Sequence, residues 1–326
     1  MPLLVSTSYQ PPFVLQNGHF QTIFPSLFRR VRDVSYHRIR ISTPDDDFID
    51  LDRASVGGDK LGVIAHGLEG SSCRSYVLGM VQALNAQGWD AVAWNFRGCS
   101  GEPNRQIRFY HSGDTDDLNT VLKEILNRFD YRHIALIGFS MGGNVILKFL
   151  GEYSARMHPS IKAGIAFSVP CDLASAAHKL KQPSNLIYMK RFLLNLHEKI
   201  RIKMKQFPGR IDDKGYHLIH SFKEFDERYT APLHGFESAE DYWEKSSSKG
   251  FLHRISIPVL MVNALDDPFL SSSCYPYEEA LNNPCFFLEA PRFGGHVGFM
   301  GYGNGGNRYW SETRTVQFLK NQCNWK

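Results

Sequence analysis

Short apolar runs alternate with amphipathic stretches from Leu61 onward, and this alternation predicts a mostly parallel sheet flanked by helices. Four runs are apolar enough to be strands buried on both faces, and they cover residues 61–65, 91–95, 134–137 and 164–169. Stretches of helical period follow the first, second and third of these runs, over 74–87, 114–129 and 144–153. The pattern therefore predicts an α/β core.

This alternation stops after Val169, and a helical, charged and aromatic segment follows before strand-like residues 257–263 resume the pattern. A strand at 285–290 and a helix at 312–321 complete it. We therefore expect an α/β core made of residues 1–171 and 251–326, with a helical cap inserted over 172–250. The first 50 residues, with Pro11, Pro12, Pro25 and Pro44, predict an irregular lead-in and one or two antiparallel edge strands.

The best-defined helix of the expected cap starts near Pro183 and stops before Pro208. Its apolar residues recur at spacings of three and four and form one stripe: Leu186, Met189, Leu193, Leu196, Ile200, Met204 and Phe207. Lys190, Arg191, Arg201 and Lys205 lie largely on the other side.

Two interpretations of this amphipathic helix stay open. Its stripe packs on the core and borders an acyl pocket, with Phe192 and Leu193 as substrate contacts, or the helix lies on an anionic lipid surface. We favour packing, because no second membrane signal accompanies the helix. That choice predicts weak interfacial contact at most, no stable membrane insertion and negligible vesicle binding at physiological salt.

The composition is that of a globular protein: the chain has 326 residues, of which 43% are hydrophobic and 21% charged. No apolar run is long enough for a membrane span or a signal peptide, so a cytoplasmic location is expected. The net charge of +4 is too small and mixed to indicate a nucleic-acid partner. Six scattered cysteines indicate reduced thiols rather than a zinc site or a disulfide framework. The oligomeric state stays open.

A G-x-S-x-G sequence at 138–142 follows a predicted strand and precedes a predicted helix. The turn in such an elbow is so tight that side chains at the two glycine positions would collide. Ser140 is thereby expected to stand above the sheet edge as a nucleophile. The backbone N–H of Met141, at the start of the helix, is directed toward charge that develops on a bound carbonyl.

A serine nucleophile needs a base and an orienting carboxylate. In α/β folds that carry such an elbow, the chain order is serine, acid, histidine. Asp267 follows the strand predicted at 257–263, and we prefer it to Asp266 because Pro268 favours an extended backbone at the preceding residue. Asp266 is then expected to form a turn. His296 lies on a glycine-rich loop after the next strand and is the expected base.

The loop after the strand at 61–65 reads His66-Gly67-Leu68-Glu69-Gly70. It corresponds in position to the loop that supplies a second oxyanion donor, here the backbone N–H of Leu68. We also expect His66, Gly67 and Phe139 to contact substrate. His19 has two interpretations, pocket lining or a structural role in the lead-in, and we favour the structural one.

Eight motifs together resemble the YheT-like family of α/β-hydrolases, which is related to the α/β-hydrolase-domain lipases and esterases. They are Asn17-Gly18-His19-Phe20-Gln21-Thr22, the segments 66–72, 95–101 and 110–118, the elbow, Glu224-Phe225-Asp226, and the segments 263–268 and 294–299. The resemblance spans nearly the whole chain. It implies an α/β-hydrolase fold and a serine hydrolase acting on carboxylic esters, with Ser140, Asp267 and His296 as the triad.

The expected reaction is hydrolysis of short- to medium-chain acyl esters through an acyl-enzyme, with a small-molecule ester as the partner. No cofactor is required. No metal is expected, because His217 and His220 have no third ligand beside them in the sequence. The alternatives are an acyltransferase, an acylglycerol or phospholipid lipase, and a non-catalytic binding protein that kept the fold.

Overall fold

A computed structural model describes residues 3–4, 7–301 and 309–323. Within these ranges, nine strands form one sheet in the order β1-β9-β8-β7-β6-β4-β5-β3-β2. Their bounds are β1 Leu3–Leu4, β2 His37–Ser42, β3 Phe48–Ala54, β4 Lys60–Ala65, β5 Asp90–Asn95, β6 His133–Phe139, β7 Ile161–Phe167, β8 Val259–Val262 and β9 Phe286–Glu289. Among these nine described strands, the β2–β3 and β3–β5 pairs are antiparallel and the other pairs are parallel. The predicted α/β fold is therefore confirmed.

Helices cover both faces of this sheet. Their bounds are α1 Gly18–Phe28, α2 Ser75–Asn85, α3 Thr115–Arg128, α4 Met141–Glu152, α5 Leu173–Leu180, α6 Leu186–Gln206, α7 Phe222–Phe225, α8 Ala231–His234, α9 Ala239–Ser246, α10 Tyr277–Asn282 and α11 Trp310–Cys323. A π-helical turn, Asp226–Thr230, joins α7 to α8. No helix in the described ranges is long and apolar enough to cross a membrane.

One apolar cluster covers each face of the sheet, because the central strands are buried on both sides. The parallel strands β4, β6, β7 and β8 all end at the same edge. The loops that follow them therefore meet there, and they carry the residues that the sequence singles out.

The helices α5 to α9 lie between β7 and β8 in the chain, and we call this segment the cap. Residues of α6 build a separate apolar cluster that includes Met189, Leu196 and Ile200 together with Phe225 and Phe269. The prediction that the apolar stripe packs against the protein is wrong at Leu186, whose side chain is 55% exposed at the first turn of α6. The four basic residues predicted on its other side are exposed.

The lead-in is more regular than the sequence predicts. Asn17 caps α1 by accepting a hydrogen bond from the backbone N–H of Phe20, and the helix continues through Pro25. After it, β2 forms one edge of the sheet, while β3 lies between β2 and β5. The expectation of an irregular segment is therefore wrong for residues 18–28.

Candidate active site

Ser140 lies in the sharp turn between β6 and α4. Its backbone φ is 54°, a conformation that costs free energy for a residue with a side chain. A Cβ on Gly138 would lie 2.5 Å from the Cα of Gly143, and a Cβ on Gly142 would lie 2.5 Å from the backbone oxygen of His66. Neither position admits a side chain, so the two glycines allow the turn that raises Ser140 above the sheet.

The side chains of Ser140, His296 and Asp267 form one hydrogen-bonded row. The Nε2 of His296 lies 2.8 Å from the Oγ of Ser140, and its Nδ1 lies 2.9 Å from Oδ2 of Asp267. The carboxylate of Asp267 can only accept when it is ionised, so Nδ1 carries the proton and Nε2 is free to accept the serine proton. Asp267 is buried and also accepts a hydrogen bond from the backbone N–H of Phe269.

The neighbouring Asp266 has a different environment. Its Oδ1 accepts a hydrogen bond from the backbone N–H of Gly295 at 2.8 Å, and burial raises the pKa of its carboxyl. Its buried Oδ2 has no hydrogen-bond partner in the described part of the chain. Asp266 therefore holds the loop that carries His296, while Asp267 contacts the imidazole.

The helix α1 braces the same histidine loop. The hydroxyl of Thr22 accepts a hydrogen bond from the backbone N–H of His296, and the side-chain oxygen of Gln21 accepts one from the backbone N–H of Met300. A Cβ on Gly295 would lie 2.4 Å from the backbone oxygen of Gly18. The motif at 17–22 thus packs against the motif at 294–299. Sequence reasoning missed this role of Thr22 and Gln21, for which their shared motif was the only signal.

The loop after β4 is held by buried side chains. The ring of His66 accepts a hydrogen bond from the backbone N–H of Phe96 at Nε2, so its Nδ1 carries the proton that bonds the backbone oxygen of Gly67. Burial lowers the pKa of His66 to about 3, which keeps the ring neutral. The hydroxyl of Tyr76 accepts a hydrogen bond from the backbone N–H of Gly67.

Glu69, in the same loop, has a positive φ of 52°. Its backbone N–H donates to the hydroxyl of Tyr110, and its carboxylate lies 3.4 Å from the Nζ of Lys199 on α6. Within the described residues, the backbone N–H groups of Leu68 and Met141 have no assigned acceptor. Both groups are therefore available to a ligand at Ser140.

Two cavities meet at Ser140 and His296. The first has a volume of about 110 Å³ and lies under the cap. Its lining is mostly apolar and includes Leu68, Met141, Leu173, Ala176, Ala177, Leu180, Phe192, Leu196, Phe222, Phe225 and Phe269. The second is a groove of about 470 Å³ between α1, α6 and the loop after β4. An ester bound at Ser140 could therefore extend in two directions.

Of the five predicted substrate contacts, Phe192 and Gly67 line these cavities, whereas the other three do not. His66 is buried with both ring nitrogens occupied by backbone groups. Phe139 packs between Tyr76 and Phe167 in the core behind the elbow. Leu193 lies in the apolar cluster of the cap. We correct the prediction for these three residues, whose side chains pack inside the protein.

His19 connects α1 to α6. Its Nδ1 lies 3.0 Å from the hydroxyl of Tyr188, and the two rings stack with their centroids 5.8 Å apart. It is not among the residues that line either cavity. These contacts agree with the structural interpretation.

In the described ranges, no group of three or more His, Cys, Asp or Glu side chains is arranged to hold a metal ion.

Comparisons with known proteins agree with this architecture. A family model described as "Serine aminopeptidase, S33" matches residues 59–224. "Putative esterase YheT" of Escherichia coli is 34% identical over 321 residues, which cover 96% of this chain and 93% of that protein. "Phospholipase ABHD3" of Homo sapiens is 28% identical over 307 residues, which cover 91% of this chain and 75% of that protein.

The fold also occurs in solved structures. The Pyrococcus furiosus esterase Pf2001 superposes with a TM-score of 0.61 at 18% sequence identity, and the match covers 98% of this chain and 99% of that one. At this identity the likeness concerns the fold alone.

Proposed function

Because this chain belongs to the YheT-like family of α/β-hydrolases and is a hydrolase of the esterase and lipase type, we propose that it hydrolyses carboxylic esters with Ser140 as nucleophile, His296 as base and Asp267 as the orienting acid. The observation that carries the proposal is the hydrogen-bonded row of these three side chains, with separations of 2.8 Å and 2.9 Å.

In this mechanism, the Oγ of Ser140 attacks the ester carbonyl while His296 accepts the serine proton. The backbone N–H groups of Leu68 and Met141 stabilise the negative charge on the carbonyl oxygen. His296 then returns the proton to the leaving alcohol, and an acyl-enzyme forms on Ser140. Water attacks the acyl-enzyme with the same histidine as base and releases the acid.

The proposed acyl group is short to medium in length and occupies the cavity under the cap. The lining of that cavity is mostly apolar, which suits an alkyl chain, and its volume of about 110 Å³ is below the range typical of sites for larger ligands. Asp226 and Thr230 also line it, but the hydroxyl of Thr230 and the Nε1 of Trp243 both donate to the carboxylate of Asp226, so an alkyl chain leaves these polar groups with partners. The alcohol portion would occupy the larger groove, which is lined by more polar side chains.

A lipase acting on acylglycerols or phospholipids is the second candidate. It is supported by the similarity to a protein named as a phospholipase and by the size of the groove. An acyltransferase would use the same three side chains with an alcohol in place of water, so product analysis in the presence of an added alcohol separates the two reactions.

Labelling with a fluorophosphonate probe tests the nucleophile, and a panel of p-nitrophenyl esters of increasing chain length tests the substrate class. We expect the probe to modify Ser140, the Ser140→Ala variant to resist labelling, and its ester hydrolysis to fall by up to about a millionfold. Labelling at another serine, or near wild-type hydrolysis by Ser140→Ala, would refute the assignment. A preference for the longest esters would favour the lipase.

A further inference from the structure

Large apolar side chains are exposed around the mouth of the groove that leads to Ser140. Six of them form what we call the groove rim: Phe20, Ile23, Leu27 and Phe28 on α1, and Ile187 and Leu194 on α6. Their exposed fractions run from 40% for Ile23 to 76% for Ile187. Single exposed apolar residues are ordinary on protein surfaces, whereas a contiguous group usually marks an interaction site.

The two halves of the rim are far apart in sequence but adjacent in space. Ile23, Leu27 and Ile187 line the same groove, and the hydrogen bond between His19 and Tyr188 joins α1 to α6 beneath them. On α1, the ring of Phe24 contacts both Phe20 and Phe28. On α6, Ile187 and Leu194 are seven positions apart and therefore share one face of the helix.

Positive charge accompanies this apolar surface. Arg30, Arg74 and Arg191 line the groove and are exposed, and Lys190 is exposed beside Ile187. Neither α1 nor the segment 186–197 contains an acidic residue. Glu69 is the acidic residue in the groove lining, and Lys199 neutralises it. Apolar side chains flanked by arginine and lysine suit a lipid–water interface with anionic headgroups.

We propose that the groove rim docks this protein on an anionic lipid surface, so that the groove opens toward the lipid and Ser140 receives an amphiphilic ester from it. This proposal replaces the expectation of negligible vesicle binding, which concerned the apolar stripe of α6. The groove rim is a different surface, because Met189, Leu193, Leu196 and Ile200 of the stripe pack inside the cap. The delivery of an ester rests on the function proposed above, whereas the docking itself does not require catalysis.

Co-sedimentation of the full chain with phosphatidylglycerol–phosphatidylcholine vesicles tests the docking. The test variants are Phe28→Ser and Leu194→Ser, which alter the rim outside the groove lining. The matched control is Leu281→Ser, which removes an equally exposed apolar side chain on α10. We expect each rim variant to weaken vesicle binding by about tenfold. The control should bind like the wild type.

The electrostatic part is tested with Lys190→Glu, against Lys205→Glu as control. Both residues are exposed on α6, but Lys205 lies about four turns further along the helix. We expect Lys190→Glu to reduce binding to the anionic vesicles, and binding of the wild type to weaken on pure phosphatidylcholine vesicles. Equal effects of the two reversals would overturn the charge argument.

Hydrolysis of soluble p-nitrophenyl butyrate is measured on the same samples, and we expect it to be unchanged in the rim variants. Absence of this activity in the wild type would refute the proposed function without affecting the docking result. Absence of vesicle binding in an active wild type would refute the docking. If sedimentation velocity instead showed a dimer that Leu194→Ser dissociates, the rim would be a contact between two copies, which also overturns the proposal.

Discussion

The hydroxyl of Thr22 accepts a hydrogen bond from the backbone N–H of His296 at 2.8 Å, across 274 positions of the chain. The same hydroxyl donates to the backbone oxygen of Gly18 one turn earlier in α1. The helix at the start of the chain therefore fixes the backbone of the proposed base. Because a proton-transfer geometry tolerates little displacement, Thr22 is placed to act on catalysis through His296.

We expect Thr22→Val to lower kcat by about tenfold to a hundredfold while KM changes little, because the histidine loop loses its anchor but the substrate cavities remain. Thr22→Ser keeps the hydroxyl and should restore most of the rate. The matched control is Thr120→Val, which removes a hydroxyl that bonds the backbone one turn earlier on the exposed face of α3. Equal losses in both valine variants would reduce Thr22 to a stability role.

Asp267 and Asp266 can be separated by single substitutions. Asp267→Asn should lower kcat by about ten-thousandfold, because an amide favours the wrong tautomer of His296. Asp266→Asn should cost far less, since its amide oxygen can still accept the hydrogen bond from the backbone N–H of Gly295. Steady-state kinetics on one ester ranks the two variants. A larger loss in Asp266→Asn would transfer the orienting role to that residue.

Phe192 and Leu193 are neighbours on α6 with different surroundings, so they form a natural pair for testing chain-length selection. Phe192 lines the cavity under the cap, whereas Leu193 packs among the buried residues of the cap. We expect Phe192→Ala to shift the preference in the p-nitrophenyl ester panel toward longer acyl chains. Leu193→Ala should keep the preference and lower the free energy of unfolding by about 2–5 kcal/mol. The opposite assignment of the two effects would contradict the cavity's role as the acyl site.

The order of strands and helices could be predicted from the sequence because strands buried on both faces leave continuous apolar runs. The elbow could be predicted because other backbone atoms come so close to positions 138 and 142 that only glycine fits there. The helix α1 could not be predicted, because it contains Pro25 and exposes large apolar residues such as Phe28. It therefore lacks the usual pattern of apolar residues on the buried face and polar residues on the exposed face.

Two lysines of α6 are buried, although the periodic pattern of apolar and polar residues does not predict their burial. Lys199 and Lys203 are buried on the side of α6 that faces the core. The Nζ of Lys203 donates to the backbone oxygens of Asn104 and Gln106, and that of Lys199 donates to the backbone oxygen of Gly98. These acceptors, about 100 positions away in the chain, offset the free-energy cost of burying the two charged groups. The local pattern of charges on α6 cannot reveal them.

The buried ring of His66 makes a pH-dependent contribution to stability. In the unfolded chain a histidine takes up a proton near pH 6.5, whereas burial lowers the pKa of His66 in the folded protein to about 3. Between these values the unfolded state binds more protons, so the contribution is present at neutral pH and is lost as the pH falls through this window. Protonation at Nε2 would also break the hydrogen bond from the backbone N–H of Phe96.

The His66→Gln variant isolates this contribution, because glutamine has no proton to gain in the window. We expect the variant to be less stable than the wild type at pH 7, since the loop after β4 loses its buried support. Its deficit in the free energy of unfolding should shrink by about 2 kcal/mol between pH 7 and about pH 5, as the wild type alone loses stability. Urea unfolding of both proteins at the two pH values measures the change. A deficit that stays constant, or grows on acidification, would show that His66 is not held neutral in the folded protein.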